Sequence, residues 1–137
     1  GGEDSREICC DSYILDTKDF SWVSVENKND RRKLFSLSSV YNFSIGYGGI
    51  IHSDLDNIFS YSEDLFLINE KETLLINDMD SNDIKDDPGK LYGHASIFLG
   101  EELYIFGGFS VTSKEENGVN KEVSNKLYSY NLNNKEW

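Results

Sequence analysis

Tyr104-Ile105-Phe106-Gly107-Gly108 is a hydrophobic run that ends in two glycines, and Ile45-Gly46-Tyr47-Gly48-Gly49 is a second copy of it. Leu127-Tyr128-Ser129-Tyr130-Asn131 follows the first run, and Leu65-Phe66-Leu67-Ile68-Asn69 follows the second. Glycine reaches positive φ without a Cβ clash, so each run predicts a buried strand that turns sharply at its end. The chain therefore contains an internal repeat.

A third copy of the rear half of this repeat opens the chain. The residues Tyr13, Leu15, Asp16 and Trp22 superpose without a gap on Tyr128, Tyr130, Asn131 and Trp137. The repeating units then end at Trp22, Leu75 and Trp137. Self-similarity at a period of about 50 residues is typical of stacked or circular modules.

The order of these features resembles the kelch repeat, in which a hydrophobic run and a double glycine precede a spaced Tyr and Trp. Residues 92–137 match that pattern almost completely, with His94 ahead of the hydrophobic run. Residues 35–77 match it more loosely, since Phe35 stands at the position of His94, and residues 8–25 match only its rear half. The structural residues that the resemblance assigns are Gly48, Gly49, His94, Gly107, Gly108, Tyr13, Trp22, Tyr128 and Trp137. Of these, Tyr13, Trp22, Tyr128 and Trp137 are expected to pack between blades.

The resemblance implies an all-β fold of kelch-type propeller blades, each a four-stranded antiparallel sheet. The residues of the last unit predict the same strands, at 94–99, 102–107 and 126–132, with another beginning near Glu136. About two and a quarter blades make an incomplete ring, so we expect a fragment of a larger propeller.

The predicted organisation has five parts. Residues 8–25 are the rear half of a blade, residues 35–77 a complete blade, and residues 92–137 a blade that lacks most of its last strand. Residues 78–91 are an acidic loop between blades, and residues 1–7 are a disordered N-terminus or an expression scar.

Strand direction predicts which face of the blades carries the long connections. With the strands of a blade named a to d, strands a and c run one way and b and d the other, so the b–c and d–a connections leave on one face. We expect long b–c loops at 50–64 and 109–125, and long d–a loops at 26–34 and 78–93. Loops of this kind often carry function, so this face is the candidate surface for a partner.

The predicted loops are rich in acidic residues and contain several aromatic ones. The chain has 13 basic and 25 acidic residues and a net charge of −12, which disfavours nucleic acid and membrane as partners and favours a protein or peptide, particularly a basic one. An alternative is that the acidic stretches are only soluble insertions. The candidate partner-binding residues are Phe59, Tyr61, Phe109, Asp83, Asp86 and Asp87.

Patterns for metal binding and catalysis are incomplete. Asp78-x-Asp80-x-Asn82 imitates the start of a calcium-binding loop, but Asp83 stands where that loop needs glycine and Gly89 where it needs glutamate. His94 is predicted to be structural, and neither it nor His52 has a second ligand at the usual spacing. We therefore predict no catalytic residue, no cofactor and no metal.

Two short stretches bear on surface and location. The cluster Arg31-Arg32-Lys33 is interpreted as part of a solvated loop between blades. Neighbouring strand residues point to opposite faces, so a disulfide between Cys9 and Cys10 is not expected. The sequence shows no secretory signal and no apolar run of membrane length, so a reducing, cytoplasmic location is the default expectation.

The favoured function is a non-catalytic protein-protein interaction module. In this interpretation the chain is part of a kelch propeller that acts as scaffold, adaptor or targeting domain of a larger protein, next to the remaining propeller blades. The alternative is part of a kelch-propeller enzyme, galactose oxidase-like or sugar-isomerising, with its catalytic groups outside this chain. Such enzymes place Tyr, Cys, His or Arg at the inner strands, where this sequence offers only His94.

Overall fold

The computed structural model describes residues 2–3, 8–25, 31–53, 57–76, 86–114 and 118–137. These residues are all-β and include no helix, which confirms the predicted fold class and leaves no helical span across a membrane within the described ranges. The strands are β1 (Gly2–Glu3), β2 (Ile8–Cys9), β3 (Ser12–Leu15), β4 (Trp22–Val25), β5 (Arg31–Lys33), β6 (Ser36–Val40), β7 (Phe43–Tyr47), β8 (Ile50–Ser53), β9 (Ile58–Tyr61), β10 (Leu65–Ile68), β11 (Thr73–Leu75), β12 (Leu91–Tyr92), β13 (Ala95–Leu99), β14 (Glu102–Phe106), β15 (Phe109–Lys114), β16 (Gly118–Val123) and β17 (Leu127–Asn131).

The second blade is a four-stranded antiparallel sheet in the order β11-β10-β7-β6. Ser36 pairs with Tyr47 in the a–b hairpin, and Tyr47 pairs in turn with Leu65 of strand c. Burial alternates along β6, where Ser36 and Val40 are buried and Leu37 is exposed, as expected for a strand with one covered face. Strands β6, β7, β10 and β11 are therefore strands a to d of one blade.

The first and third blades contribute fewer strands. The third has the order β13-β14-β17, and an isolated bridge between Asn131 and Glu136 starts its fourth strand. Among the described residues, the first is represented by the pair β3 and β4, in which Leu15 lies opposite Trp22.

Two further sheets stand where the sequence predicted long loops. The first accessory sheet joins β5, β8 and β9, and the second joins β12, β15 and β16. In each of them the end of the d–a connection pairs with a hairpin inserted between strands b and c, as Lys33 does with Ile50 and Tyr92 with Phe109. The loop prediction was wrong for these stretches, because their strands form by pairing between residues that lie far apart in the chain. Residues 26–30, 54–56, 78–85 and 115–117 of the predicted loops lie outside the described residues.

The turn between strands c and d is built in the same way in all three blades. A side-chain oxygen accepts a hydrogen bond from the backbone N–H two residues further along the chain. The acceptors are Oδ1 of Asp16, Asn69 and Asn131, at 2.8, 2.8 and 3.0 Å. Asp and Asn favour such Asx turns, because their side chains bond to the backbone two residues on.

The repeating units end at Trp22, Thr73 and Trp137, so Leu75 was the wrong member of the predicted set. The N–H of Asp16 bonds to the carbonyl of Ser21, five residues on, whereas that of Asn69 bonds to Glu72, three residues on. The c–d turn of the second blade is thus two residues shorter. Its strand d consequently begins with Thr73 opposite Ile68, in the way that Trp22 lies opposite Leu15.

Gly2 and Glu3 form a strand with Ile8 and Cys9, so these two residues are ordered, whereas residues 1 and 4–7 of the predicted disordered stretch or expression scar lie outside the described residues. Gly2 lies opposite Cys9. In the second blade Gly49 lies against Ser62, whose N–H donates to the Gly49 carbonyl at 2.9 Å. Cys9 and Ser62 each stand three residues before strand c, so Gly2 holds the position of the second glycine of a double glycine.

The main hydrophobic core lies between the second and third blades. Burial of a large apolar side chain contributes about 1.5–3 kcal/mol, so this junction is a principal source of stability. The Trp137 ring packs against the core, with its centroid 5.2 Å from that of Tyr47. The buried core residues are Val40, Ile45, Tyr47, Leu65, Leu91, Leu103, Ile105 and Tyr130.

Candidate binding surface

The two accessory sheets carry a row of aromatic rings that crosses from one blade to the next. Tyr61 lies on β9, and its ring centroid is 5.4 Å from that of Tyr92 on β12. Tyr92 stacks in turn on Phe109, with centroids 5.2 Å apart and an interplanar angle of 15°. Lys121 Nζ lies 5.0 Å from the centre of the Tyr61 ring, within the range of a cation–π contact. We call Tyr61, Tyr92 and Phe109 the aromatic row.

Two of the three predicted aromatic contacts, Tyr61 and Phe109, lie in this row, and Phe59 does not. Phe59 precedes Tyr61 by two residues on β9 and packs on His52, with ring centroids 4.8 Å apart. It is 55% exposed, and Phe109 is 42% exposed. Tyr92 completes the row but was not predicted as a contact. Its pairing with Phe109 follows from the strand register of the second accessory sheet, which could not be anticipated while both stretches were interpreted as loops.

The structure describes two of the three predicted acidic contacts, because Asp83 lies outside the described residues. Asp86 is exposed and Asp87 is half-buried. Oδ1 of Asp87 accepts a hydrogen bond from the N–H of Gly89 at 3.0 Å, and the Gly89 carbonyl accepts one from the Tyr47 hydroxyl at 2.7 Å. Burial raises the pKa of Tyr47, so its hydroxyl remains a donor. Asp87 thus shapes a turn that the second blade holds in place, and Asp86 is an exposed charge beside it.

His94 lies at the junction of the second and third blades. Its Nε2 atom is 2.7 Å from Oγ of Ser36 in a buried contact, and its ring centroid is 5.8 Å from that of Tyr47. Burial lowers the pKa of His94 to about 4, and a backbone hydrogen bond with Tyr47 offsets only part of this shift. A neutral imidazole therefore joins the two blades at neutral pH.

The second glycine of each double glycine lies against the segment that leads into strand a. A Cβ atom on Gly49 would lie 2.8 Å from the carbonyl oxygen of Lys33, and one on Gly108 would lie 2.7 Å from that of Tyr92. Both glycines also have positive φ, +97° and +82°, and so do Gly48 and Gly107, which precede them. No larger side chain fits in either place without displacing the backbone.

The same glycines show that Phe35 and His94 hold equivalent positions. Added Cβ atoms on Gly49 and Gly108 would approach the Cβ atoms of Phe35 and His94 at 2.9 and 2.8 Å, respectively. The alignment of these two residues in the sequence is therefore correct.

The Tyr and Trp residues of the repeat differ in burial between blades. Trp137 packs on Tyr130 as well as Tyr47, and Tyr128 is half-buried. By contrast, Tyr13 is 57% exposed and Trp22 is 66% exposed. The face of the third blade that carries Trp137 packs against the second blade. Within the described residues, no blade packs in this way against the face of the first blade that carries Trp22. The expected packing between blades is therefore absent for Tyr13 and Trp22 within the described part of the chain.

Arg32 is buried, and the prediction that its cluster is solvated was wrong for this residue. Its guanidinium donates hydrogen bonds to the carbonyl of Gly48 at 2.5 Å and to Oγ of Ser62 at 2.7 Å, and pairs with Oδ2 of Asp64 at 2.7 Å. Arg32 stands at the register position of the buried Leu91 in the next repeat. A buried charge requires a partner, and Asp64 supplies it.

A cavity of about 550 Å³ lies between the first and second blades. Leu37 and Trp22 are among the residues that line it. At the junction of the second and third blades, β13 packs along β6, with Ser96 Oγ 2.8 Å from Ser38 Oγ. At the junction of the first and second blades, no strand of the described chain packs along β6 in this way. Within the described residues, the first blade contributes only β3 and β4 to this junction. Across the described ranges, no group of three or more His, Cys, Asp or Glu side chains could hold a metal ion.

Comparison with known proteins agrees with this geometry. Residues 90–137 match the family model of the kelch motif, a segment that contains His94, the second double glycine and Trp137. No curated protein matches the chain. Kelch motifs in general indicate a β-propeller module that mediates protein interactions. Residues 90–137 therefore carry a kelch motif.

Proposed function

We propose that this chain is a non-catalytic protein-interaction module and that its accessory sheets form the binding surface. The aromatic row carries the proposal, because its rings span a junction between blades and Phe109 is 42% exposed. Aromatic side chains anchor protein interfaces, since each buries a large area and loses little conformational entropy. A row that crosses two repeats presents a longer contact than one blade alone could offer.

The partner we propose is a protein or peptide with a basic and apolar contact segment. The chain carries a net charge of −12, and Asp86 and Glu122 are exposed on the segments that lead into and form the second accessory sheet. Complementary charge speeds association more than it tightens a complex. We therefore propose that the acidic residues speed association with the partner and that the aromatic row supplies most of the binding energy.

The finer parts of the proposal rest on the similarity of residues 90–137 to the kelch motif. The chain acts as a scaffold, adaptor or targeting domain of a larger, cytoplasmic protein, beside the remaining blades of a propeller. The use of His94 as a link between blades, with its pKa lowered to about 4, supports binding rather than general-base chemistry at that residue.

Quantitative affinity capture from the native cell lysate tests the proposal. Bait variants Phe109→Ala and Tyr61→Ala are compared with Tyr41→Ala, whose fully exposed ring lies in the a–b turn on the opposite face of the blade. We expect a set of captured proteins whose recovery falls about tenfold or more with either variant of the aromatic row. Their recovery with Tyr41→Ala should equal that with the wild-type chain. Equal losses in all three variants, or no loss in any, would contradict the assignment of the surface.

A further inference from the structure

Lys121 reaches from the second accessory sheet to the ring of Tyr61 in the first. It lies on β16 opposite Val111, and its Nζ atom is 5.0 Å from the centre of the Tyr61 ring. The ammonium group donates a hydrogen bond to the Tyr61 side chain, which raises the pKa of Lys121. One end of the aromatic row is therefore occupied by a cation of the chain itself.

The contact of Arg32 with Phe66 shows how a cation over a ring is fixed in this chain. The guanidinium lies 4.9 Å from the centre of the Phe66 ring, and it is buried and paired with Asp64 at 2.7 Å. Lys121 is exposed, and among the described residues no carboxylate forms an ion pair with it. An exposed cation–π contact is weak, so another cation can displace Lys121 from the Tyr61 ring.

The first accessory sheet holds a cation over a ring as well, with the residue types exchanged between equivalent positions. Lys33 of β5 corresponds in the strand register to Tyr92 of β12. Phe59 of β9 corresponds to Lys121 of β16. Lys33 Nζ lies 5.5 Å from the centre of the Phe59 ring. The rings on this surface thus attract a cation from each sheet, although a different strand supplies it.

We propose that the Tyr61 end of the aromatic row binds an arginine side chain of the partner, and that this arginine displaces Lys121. The inference rests on the proposed function, because it names the side chain by which the basic partner contacts the row. A guanidinium is planar, stacks on aromatic faces and is less strongly hydrated than an ammonium group. An arginine can therefore lie on the Tyr61 ring and donate to its hydroxyl, while Lys121 fills the site in the free chain.

The test is an NMR titration of the full chain, labelled with ¹³C and ¹⁵N, with the peptide acetyl-Gly-Leu-Arg-Leu-Gly-amide. We expect the side-chain methylene signals of Lys121 and the ring signals of Tyr61 to shift together as the peptide is added. A matched peptide carries citrulline in place of arginine, which keeps the shape of the side chain and removes its charge. This peptide should bind about fivefold more weakly.

Two lysine variants separate the proposed competition from overall charge. Lys121→Gln and Lys33→Gln each remove one positive charge from the accessory sheets, so both change the general attraction of the peptide alike. Only Lys121→Gln also uncovers the Tyr61 ring. We expect it to strengthen binding of the arginine peptide about two- to fivefold more than Lys33→Gln does. In a Tyr61→Leu chain, this difference between the two lysine variants should disappear.

Three outcomes would overturn the inference. These are Lys121 methylene signals that stay unmoved at millimolar peptide, equal affinities of the arginine and citrulline peptides, or equal gains from the two lysine variants. The titration uses no captured protein, so its result is separate from that of the affinity capture. An absence of captured proteins that depend on the aromatic row would instead contradict the proposed function.

Discussion

Nε2 of His94 lies 2.7 Å from Oγ of Ser36, and this contact links the inner strands of two neighbouring blades. Two residues further along each strand, Ser38 and Ser96 form a second link at 2.8 Å. The blades are therefore joined by polar contacts along strand a as well as by the apolar core. The equivalent of His94 in the second blade is Phe35, so the imidazole link is particular to this junction.

This link makes stability depend on pH. The pKa of His94 is about 4 in the folded chain and about 6.5 in an unfolded one, so the unfolded state binds a proton first as the pH falls. Stability should be complete above about pH 6.5 and should fall by about 1–2 kcal/mol by pH 5. Urea unfolding at pH 7.5 and 5 measures this loss. In the variant His94→Phe, the free energy of unfolding should fall less between pH 7.5 and pH 5 than in the wild-type chain. An equal fall in both proteins would contradict the role of His94.

The double glycines should tolerate substitution far less than a turn glycine does. Gly108→Ala places a Cβ atom against the backbone of Tyr92, whereas Gly100→Ala meets nothing within 4 Å at a similarly positive φ. We expect Gly100→Ala to cost about 1 kcal/mol through its left-handed backbone, and Gly108→Ala to cost about 3 kcal/mol or more. Urea denaturation compares the two. Equal costs would mean that close packing at Gly108 contributes nothing.

The buried ion pair predicts a non-additive double substitution. Arg32→Leu introduces the residue type of Leu91 at the equivalent position and removes the guanidinium that pairs with the carboxylate of Asp64. This single change should lower the free energy of unfolding by about 3 kcal/mol. Arg32→Leu combined with Asp64→Asn should recover about half of that loss. Urea titrations of the four proteins measure the coupling, and strictly additive effects would show that the pair is not a unit.

The two tryptophans should differ in energetic weight. Trp137 packs on Tyr47 and Tyr130, whereas Trp22 is 66% exposed. We expect Trp137→Ala to cost about 2–3 kcal/mol and Trp22→Ala less than about 1 kcal/mol. Thermal unfolding of both variants provides the comparison. A larger loss from Trp22→Ala would indicate that the first blade has a covering element beyond the described contacts.

Local sequence signals were sufficient for the blades because each has a short-range physical cause. The double glycines mark positive φ, and the hydrophobic runs that precede them mark buried strands. The position of Leu75 was wrong because a turn shortened by two residues is not visible until the register of Asn69 is known.

The accessory sheets needed information that local patterns do not contain. Tyr92 and Phe109 pair across a separation of 17 residues, and their stretches contain enough polar residues to be interpreted as loops. The burial of Arg32 depends in the same way on Asp64, which lies 32 residues further along the chain. Both features depend on contacts between residues that lie far apart in the chain, and so does the aromatic row.

The most direct test of the account is a disulfide between neighbouring blades. The central claim is that strand a of the third blade lies along strand a of the second, with Ser38 Oγ 2.8 Å from Ser96 Oγ. In a background of Cys9→Ser and Cys10→Ser, the double variant Ser38→Cys and Ser96→Cys should oxidise almost completely, as measured by intact mass after alkylation. The control carries Ser39→Cys in place of Ser38→Cys. Because Ser39 lies on the other face of β6, this pair of cysteines should stay reduced. Failure of the Ser38–Ser96 pair to cross-link, or equal cross-linking of the control, would contradict the packing of the two blades.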